Sequence, residues 1–404
     1  MEVLKLVFNV LEIILYIYLA FAAVYIFIFA FGGIFGYRQK KAKTSNLRKY
    51  AVLIPGYKED SVIIEVAKDA LKQNYPIEKF DVVIIADSFK KETLDALREL
   101  KIKLVEVLFE VSTKSKALNK AMQTIGDDYD VAIILDADNL MEKDFITKVN
   151  NAFDNGFEVV QGHRVAKNVN TSFAILDAIS EEVNNHIFRK GHRVLGLSSA
   201  LIGSGMAFDY RFFKETMAEV KAIGGFDKEL ELKLLKGKNK IEYINEALVF
   251  DEKVQKSEVF ANQRRRWLSA QFVYFRRFFF AGLYHLFFKG NIDFFDKVYQ
   301  MVQPPRVLLL GGTAIISLFY GLIAILNNEL INSWFYYGIY DWLLVFIVVF
   351  LAFVFSIPRK FWNMKTLNAI LTLPKAFFIM GLSLLKLRGA NKKFIHTTHG
   401  TDDK

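Results

Sequence analysis

The chain has no cysteine. That excludes disulfides, a thiolate nucleophile and a thiolate metal site. It shows no internal repeat and no low-complexity tract. Between Ile13 and Phe35 there is no charge over 23 residues, enough for a helix to cross a hydrocarbon core of ~30 Å. A signal peptide fits this run poorly, because it is too long, starts beside Glu12 and is followed by no small-residue cleavage site. The next segment, YRQKKAKTSNLRKY (37–50), holds six basic residues and lacks any acid. Basic flanks stay cytoplasmic, so the N-terminus is expected outside and the following residues inside.

What is present agrees. The 404 residues, 53% of them apolar, exceed the needs of one domain. The net charge of +10 suits a protein lying on anionic lipid. Nucleic acid is not an expected partner, since the basic residues cluster at membrane flanks rather than on one soluble face. Val307–Leu326 and Trp342–Ile357 are further uncharged runs. The connection between them has acids but no Lys or Arg, and PRKFWNMK after them is basic, so the orientation is consistent. The last apolar stretch, Thr366–Leu385, carries Pro374 and Lys375 near its middle. A charge there would cost ~3 kcal/mol at a bilayer centre, so an interfacial helix is expected instead. Three spans then leave the C-terminus cytoplasmic.

Residues 50 to about 262 alternate strand and helix patterns. YAVLIP (50–55), DVVIIAD (81–87), IKLVEVL (102–108), DVAIILD (130–136) and FEVVQG (157–162) read as strands, with helical segments near 60–74, 89–100 and 115–125. Continuous apolar strands separated by helices imply a parallel sheet covered on both faces, with ligands at the carboxyl ends of the strands. Pro55, Asp87 and Asp136 fall at such ends.

At IILDADN (133–139) Asp136 and Asp138 are one residue apart. Acids often terminate strands, and a lone Asp-x-Asp is a weak signal. The same spacing also suits Mg²⁺ or Mn²⁺ held by one or two carboxylates together with substrate phosphates. GSGMAF (203–208) offers flexible backbone, either as a plain turn or beside a substrate. In NQRRRWL (262–268), Gln263, Arg266 and Trp267 share one face if the segment is helical. That face would stack on a sugar ring and neutralise a pyrophosphate, or it would belong to a basic amphipathic helix at a membrane surface.

Taken in order, IPGYKED, IIADS, KSKALNKA, ILDADN, IGSGMAF and QRRRW resemble the membrane-embedded family 2 inverting glycosyltransferases, which include cellulose, chitin, hyaluronan and poly-N-acetylglucosamine synthases. The resemblance covers about residues 50–270. It implies an α/β GT-A type fold (Rossmann-like, mostly parallel), a UDP-sugar donor, a divalent metal (Mg²⁺ or Mn²⁺), and a growing β-linked polysaccharide or lipid-linked acceptor. By motif, Asp87 would hold uridine, Lys116 would lie near the diphosphate, and Asp136 and Asp138 would bind UDP and metal. Gln263, Arg266 and Trp267 would line the donor and acceptor site, with Gly203, Ser204 and Gly205 beside the acceptor. Two departures stand out: Lys58 precedes Glu59 where relatives have Asn, and Lys228-Glu229 stands where relatives carry Glu-Asp. Glu229 is the first choice for the catalytic base, with Asp227 or Glu231 as alternatives. Phe394, Thr397 and His399 match the pattern of a gating loop that closes over the nucleotide.

The expected organisation is a transmembrane helix (1–36), a cytoplasmic GT-A domain (37–262), QxxRW and interfacial helices (263–305), two transmembrane helices (306–358), and an interfacial helix with a cytoplasmic tail (359–404). A multi-pass protein of the cell membrane follows. Three spans make a thin wall for a polysaccharide channel, so an oligomer or a partner export protein is an expected companion. The alternatives are transfer of one sugar to a lipid-linked acceptor, or a non-catalytic membrane subunit.

Overall fold

The computed structural model describes residues 2–38, 40–42, 46–220, 222, 224–253, 257–326 and 333–385, without the side chains of 257–262, 375, 376 and 383–385. The expected gating-loop residues Phe394, Thr397 and His399 lie outside the described residues.

Apolar strands and amphipathic helices alternate in the soluble part. In chain order they are β1 (Tyr50–Tyr57), α2 (Ile63–Ala70), β2 (Phe80–Asp87), α3 (Lys91–Arg98), β3 (Lys103–Val107), α4 (Lys114–Ile125), β4 (Val131–Ile134), β5 (Leu140–Met141) and α5 (Phe145–Asp154). After β6 (Val159–Ala166), α6 (Ser172–Asn184) runs through a π-helical stretch (Asn185–Gly191) into α7 (His192–Val194), followed by β7 (Met206–Asp209), α8 (Tyr210–Ala218), α9 (Phe226–Lys236) and β8 (Ile241–Asp251). The eight strands form one sheet in the order β3-β2-β1-β4-β7-β6-β8-β5. Five strands matched the expected ones; β5, β7 and β8 were not expected. β7 runs antiparallel to both β4 and β6, so the sheet is mixed, though mostly parallel.

Alternation along β1 divides the core. Ala51 and Leu53 face α4, α8 and α9, while Tyr50, Val52 and Ile54 face α2 and α5. Burial on both faces explains why these strands read as unbroken apolar runs. Register places Tyr57 opposite Asp87 and Leu53 opposite Ile134. Tyr57, Asp87 and the residues after Ile134 therefore emerge on one rim.

The helix before the sheet, α1 (Glu2–Gly32), is 31 residues long. After the sheet come α10 (Ser257–Lys289), α11 (Ile292–Gln300), α12 (Arg306–Leu326), α13 (Ile339–Ser356), α14 (Met364–Ile370) and α15 (Leu373–Leu385). Three of these, α1, α12 and α13, are long and apolar enough to cross a membrane, and α13 packs on both others. The last apolar stretch forms two helices where one was expected. Asn363 caps α14, its side chain accepting from Thr366 N at 3.0 Å, and Pro374 sits in the first turn of α15, where its missing N–H costs nothing. Along α10, Leu268, Ala270, Tyr274 and Phe278 are buried, while Phe272, Phe280, Phe287 and Phe288 stay exposed.

Two sets of contacts fasten α1. At one end Gly191 approaches so closely that a Cβ would lie 2.1 Å from Phe29 O. Beside it the Phe29 ring stacks on buried His192 with centroids 3.6 Å apart. Tyr25 Oη donates to Asp296 at 2.6 Å and meets His192 Nε2 at 3.0 Å. At the other end Glu12 is buried among the membrane helices and accepts from Tyr320 Oη, Tyr336 N (2.8 Å) and Tyr337 N (3.3 Å). A bare carboxylate there would cost ~3 kcal/mol; hydrogen bonds to a charged group, each ~1.5–3 kcal/mol, offset that. Glu12 thus ties the 333–338 connection to α1. Glu12→Leu is expected to lower the thermal midpoint in detergent, by on the order of 2 kcal/mol in stability, and to expose residues 334–340 to chymotrypsin. An unchanged midpoint and cleavage pattern would show that the carboxylate holds nothing.

Candidate active site

The rim opens into one cavity of ≈ 1390 Å³ that reaches from the strand ends to the helices after the sheet. Asp87, Asp136 and Asp138 line it together with Gly203, Asp227, Gln263, Arg266 and Trp267. Two non-glycine residues at the strand ends, Lys58 (φ 56°) and Ser88 (φ 60°), hold left-handed backbone, a conformation such residues keep only where surrounding contacts impose it.

Each aspartate is held differently. Asp87 closes β2, is 3% exposed and accepts from Ser88 Oγ at 3.0 Å. Asp136 pairs with Lys114 Nζ, which also donates to Gly203 O at 2.7 Å. Asp138 is buried and accepts from Asn139 Nδ2 at 3.2 Å. The same Asn139 amide donates to Asp251 Oδ1 at 3.0 Å, and its Oδ1 accepts from the Ser204 hydroxyl. Ser204 Oγ in turn accepts from Asp136 N at 2.9 Å. Gly203 (φ 83°) borders the cavity, whereas Ser204 and Gly205 lie behind it. Gly205 donates its N–H to Ile134 O at 2.8 Å. Of the three expected acceptor-side residues, one faces the space and two position the Asp136–Asp138 turn.

Behind Asp251 stands a buried ionic network. Glu181 on α6 accepts from Arg164 Nη2 at 2.8 Å and Arg189 Nη1 at 3.2 Å, with Lys253 Nζ at 3.9 Å. Lys253 also donates to Asp251 Oδ2 at 2.7 Å. Burial alone would raise the Glu181 pKa, but Arg164, Lys253 and Arg189 outweigh it and hold the carboxyl well below its ordinary range. Asp251 is lowered likewise, with Arg164 and Lys253 overcoming burial.

The first-choice base, Glu229, lies apart from the cavity. Glu229 is 1% exposed, accepts from Arg277 Nη1 at 3.0 Å and does not line the cavity. Glu231 is also sealed, 2.7 Å from Lys297 Nζ; burial pushes Glu231 up and Lys297 down. Asp227, one turn earlier, lines the cavity, with Gly203 alongside it. For Glu229 the cause is helical geometry, since i and i+2 point to different sides. Gly225, left-handed at φ 67°, starts α9, so Asp227 sits in the first turn at the mouth. Lys116, expected near the diphosphate, points away for the same reason as Glu229. Its Nζ donates to Val111 O at 2.8 Å, outside the cavity, and Lys114 at the start of α4 takes the inward position.

α10 begins before the QRRRW segment, and Gln263, Arg266 and Trp267 all face the cavity. Among the described residues, buried Gln263 Oε1 has no hydrogen-bond partner, an acceptor open to a donor. Burial lowers the Arg266 pKa, opposed by Asp136 and Asp227, so this guanidinium lies in the field of both carboxylates. Arg264 pairs with Asp177 and stacks over Trp267, 4.6 Å from its ring centroid. Among the described residues no group of three or more His, Cys, Asp or Glu side chains is placed to hold a metal alone. A cation at Asp136 and Asp138 would need oxygens from a ligand.

A sequence model of the glycosyltransferase-like family 2 matches residues 48–270, more than half of the chain. No curated protein matches it. Among solved structures, the mannosyltransferase PcManGT from Pyrobaculum calidifontis, in complex with GDP-Man and Mn²⁺, is similar at 15% identity and TM-score 0.46, over 83% of this chain and 99% of that one. S. aureus TarS is similar at 17% identity and TM-score 0.37, over 55% of this chain and 39% of that one. Its 1–349 fragment with UDP is similar at 19% identity and TM-score 0.35, over 54% and 63%. Likeness at these levels says nothing of substrate. The sheet is the mixed, mostly parallel kind of a GT-A-like fold, and with the match over residues 48–270 the chain belongs to the glycosyltransferase-like family 2.

Proposed function

We propose that the chain is a metal-dependent, inverting hexosyltransferase that moves a sugar from a UDP-sugar to an acceptor hydroxyl at the cytoplasmic face of the cell membrane. One observation carries this reading. A single cavity gathers Asp87, Asp136 and Asp138 with Asp227, Arg266 and Trp267. The orientation rests on the acid-free basic segment after α1.

Asp87 would hold the uridine. Asp138, with Asp136, would hold Mg²⁺ or Mn²⁺; hard carboxylate oxygens suit either ion when diphosphate oxygens complete the shell. When bound, that cation supplies Lewis-acid stabilisation to the departing diphosphate. Arg266 and Lys114 add fixed positive charge beside it. Trp267 offers a flat face for a sugar ring, and the unpartnered Gln263 carbonyl oxygen would accept from a sugar hydroxyl. Asp227 would take the acceptor's proton as its oxygen bonds to the anomeric carbon and the bond to phosphate breaks. One displacement inverts the centre, giving a β-linkage and UDP. A cavity-facing carboxylate at this position favours an enzyme over a non-catalytic subunit.

The Gln263, Arg266 and Trp267 set favours chain extension, by the resemblance that first pointed to it. A second reading, one sugar added to a lipid-linked acceptor, has its own support. The cavity is also walled by Leu310, Ala314, Phe353, Val354 and Phe377, which give a glycan few hydrogen-bond partners.

In a UDP-release assay on detergent-solubilised protein, Asp138→Asn and Asp227→Asn should each lose at least ~10²-fold, whereas Glu229→Gln should keep turnover within a few-fold of the parent. Loss with Glu229→Gln and retention with Asp227→Asn would reverse the base assignment. Chelation should abolish release, with Mg²⁺ or Mn²⁺ restoring it; turnover that survives chelation contradicts the metal role. Product sizing on a gel distinguishes the acceptors. One short glycolipid band supports single addition, and a ladder supports polymerisation.

A further inference from the structure

The cavity's two linings meet near Arg306, the first residue of α12, which stands on its wall. The Arg306 guanidinium lies over the Phe188 ring, 5.2 Å from the centroid. Among the described residues it has no hydrogen bond and no ion pair. The charges whose fields reach it are Arg264, Glu181 and Arg189, and each of these is already matched. Arg264 pairs with Asp177, and Glu181 is shared by Arg164 and Arg189. Among the described residues Arg306 is therefore an unmatched cation on the cavity wall, as is Lys228 at the start of α9. Arg306 is also not a donor-side group by its surroundings, because the carboxylates acting on Arg266 are Asp136 and Asp227, and neither acts on Arg306.

A guanidinium without a counter-ion in a partly apolar cavity is unfavourable. A phosphate group relieves that cost and matches the planar fork with two parallel charge-assisted bonds. Beside Arg306, the apolar wall of α12, α13 and α15 has the chemistry of hydrocarbon. At Gly311 a Cβ would lie 2.5 Å from the Phe377 ring, so α15 closes tightly on α12 there.

Resting on the transferase reading above, we propose that the acceptor is an anionic lipid. Its phosphate is held by Arg306, its hydrocarbon chain lies along Leu310, Ala314, Phe353 and Phe377, and its head-group hydroxyl is turned toward Asp227. Free phosphate shares the charge but would leave the apolar wall uncovered.

The test titrates dodecyl phosphate, dodecanol and inorganic phosphate separately into the full-length protein in neutral maltoside micelles. It follows tryptophan fluorescence, since Trp267 and Trp362 both line the cavity. Dodecyl phosphate should bind saturably. Dodecanol and inorganic phosphate should each bind at least tenfold more weakly. Arg306→Gln should weaken dodecyl phosphate at least tenfold, and Arg306→Lys should fall between, keeping the charge but losing the fork. Equal affinity of Arg306→Gln and the parent for dodecyl phosphate overturns the site. Dodecanol as tight as dodecyl phosphate overturns the role of charge, and inorganic phosphate as tight overturns the lipid. UDP affinity and the thermal midpoint, measured on the same samples, confirm that each variant is folded. A parent protein that binds dodecyl phosphate but no UDP would refute the transferase reading and leave the Arg306 comparison intact.

Discussion

Two carboxylates one residue apart at a strand end repel each other, and the cavity is organised around offsetting that repulsion. Asp136 is answered by Lys114 from the start of α4. Asp138 is answered through Asn139, whose single amide bridges to Asp251. Asp251 in turn rests on Lys253 and Arg164, which also serve Glu181. The network joins β4, β6, β8 and α6. Buried ion pairs of this kind add little net stability, because desolvation cancels most of the attraction. What they do is fix direction, since removing any one member strands another charge in low dielectric. The Asp136–Asp138 turn is held in one pose before any ligand arrives.

Much of the fold was legible because burial on both faces writes itself as uninterrupted Val and Ile. β1, β2 and β4 announce themselves that way. β8 did not, because Glu242, Asn245 and Glu246 interrupt its apolar run, and Glu242 is spent on Arg193. β7 was hidden by its shortness, four residues following two left-handed glycines. Spacing identified Asp87, Asp136, Asp138 and the QRRRW face, since local periodicity suffices to put them on the cavity. At Glu229 and Lys116 the right segment was found, but the cavity-facing residue of each helix stands two positions earlier, at Asp227 and Lys114. Arg164, Glu181, Lys253 and Arg306 carried no local signal at all. The first three meet only through tertiary pairing, across 17 residues for Arg164 and Glu181.

The long apolar helices repeat the lesson of the sheet domain. Glu12 looked like the charged edge of an apolar run. It is instead a buried acceptor for two backbone N–H groups and a tyrosine hydroxyl, so the first helix begins well before it. α10, which is not among the helices long and apolar enough to span, still leaves Phe272, Phe280, Phe287 and Phe288 exposed.

The contact between Gly191 and Phe29 has a mechanical meaning. With no side chain between them, and with His192, Tyr25 and Asp296 bonded alongside, the first helix and the sheet domain are held in direct backbone contact. Any side chain at position 191 would push the first helix away from the π-helical stretch after α6. On the reading proposed above, whatever receives the sugar would have to reach a cleft kept at one spacing from α1.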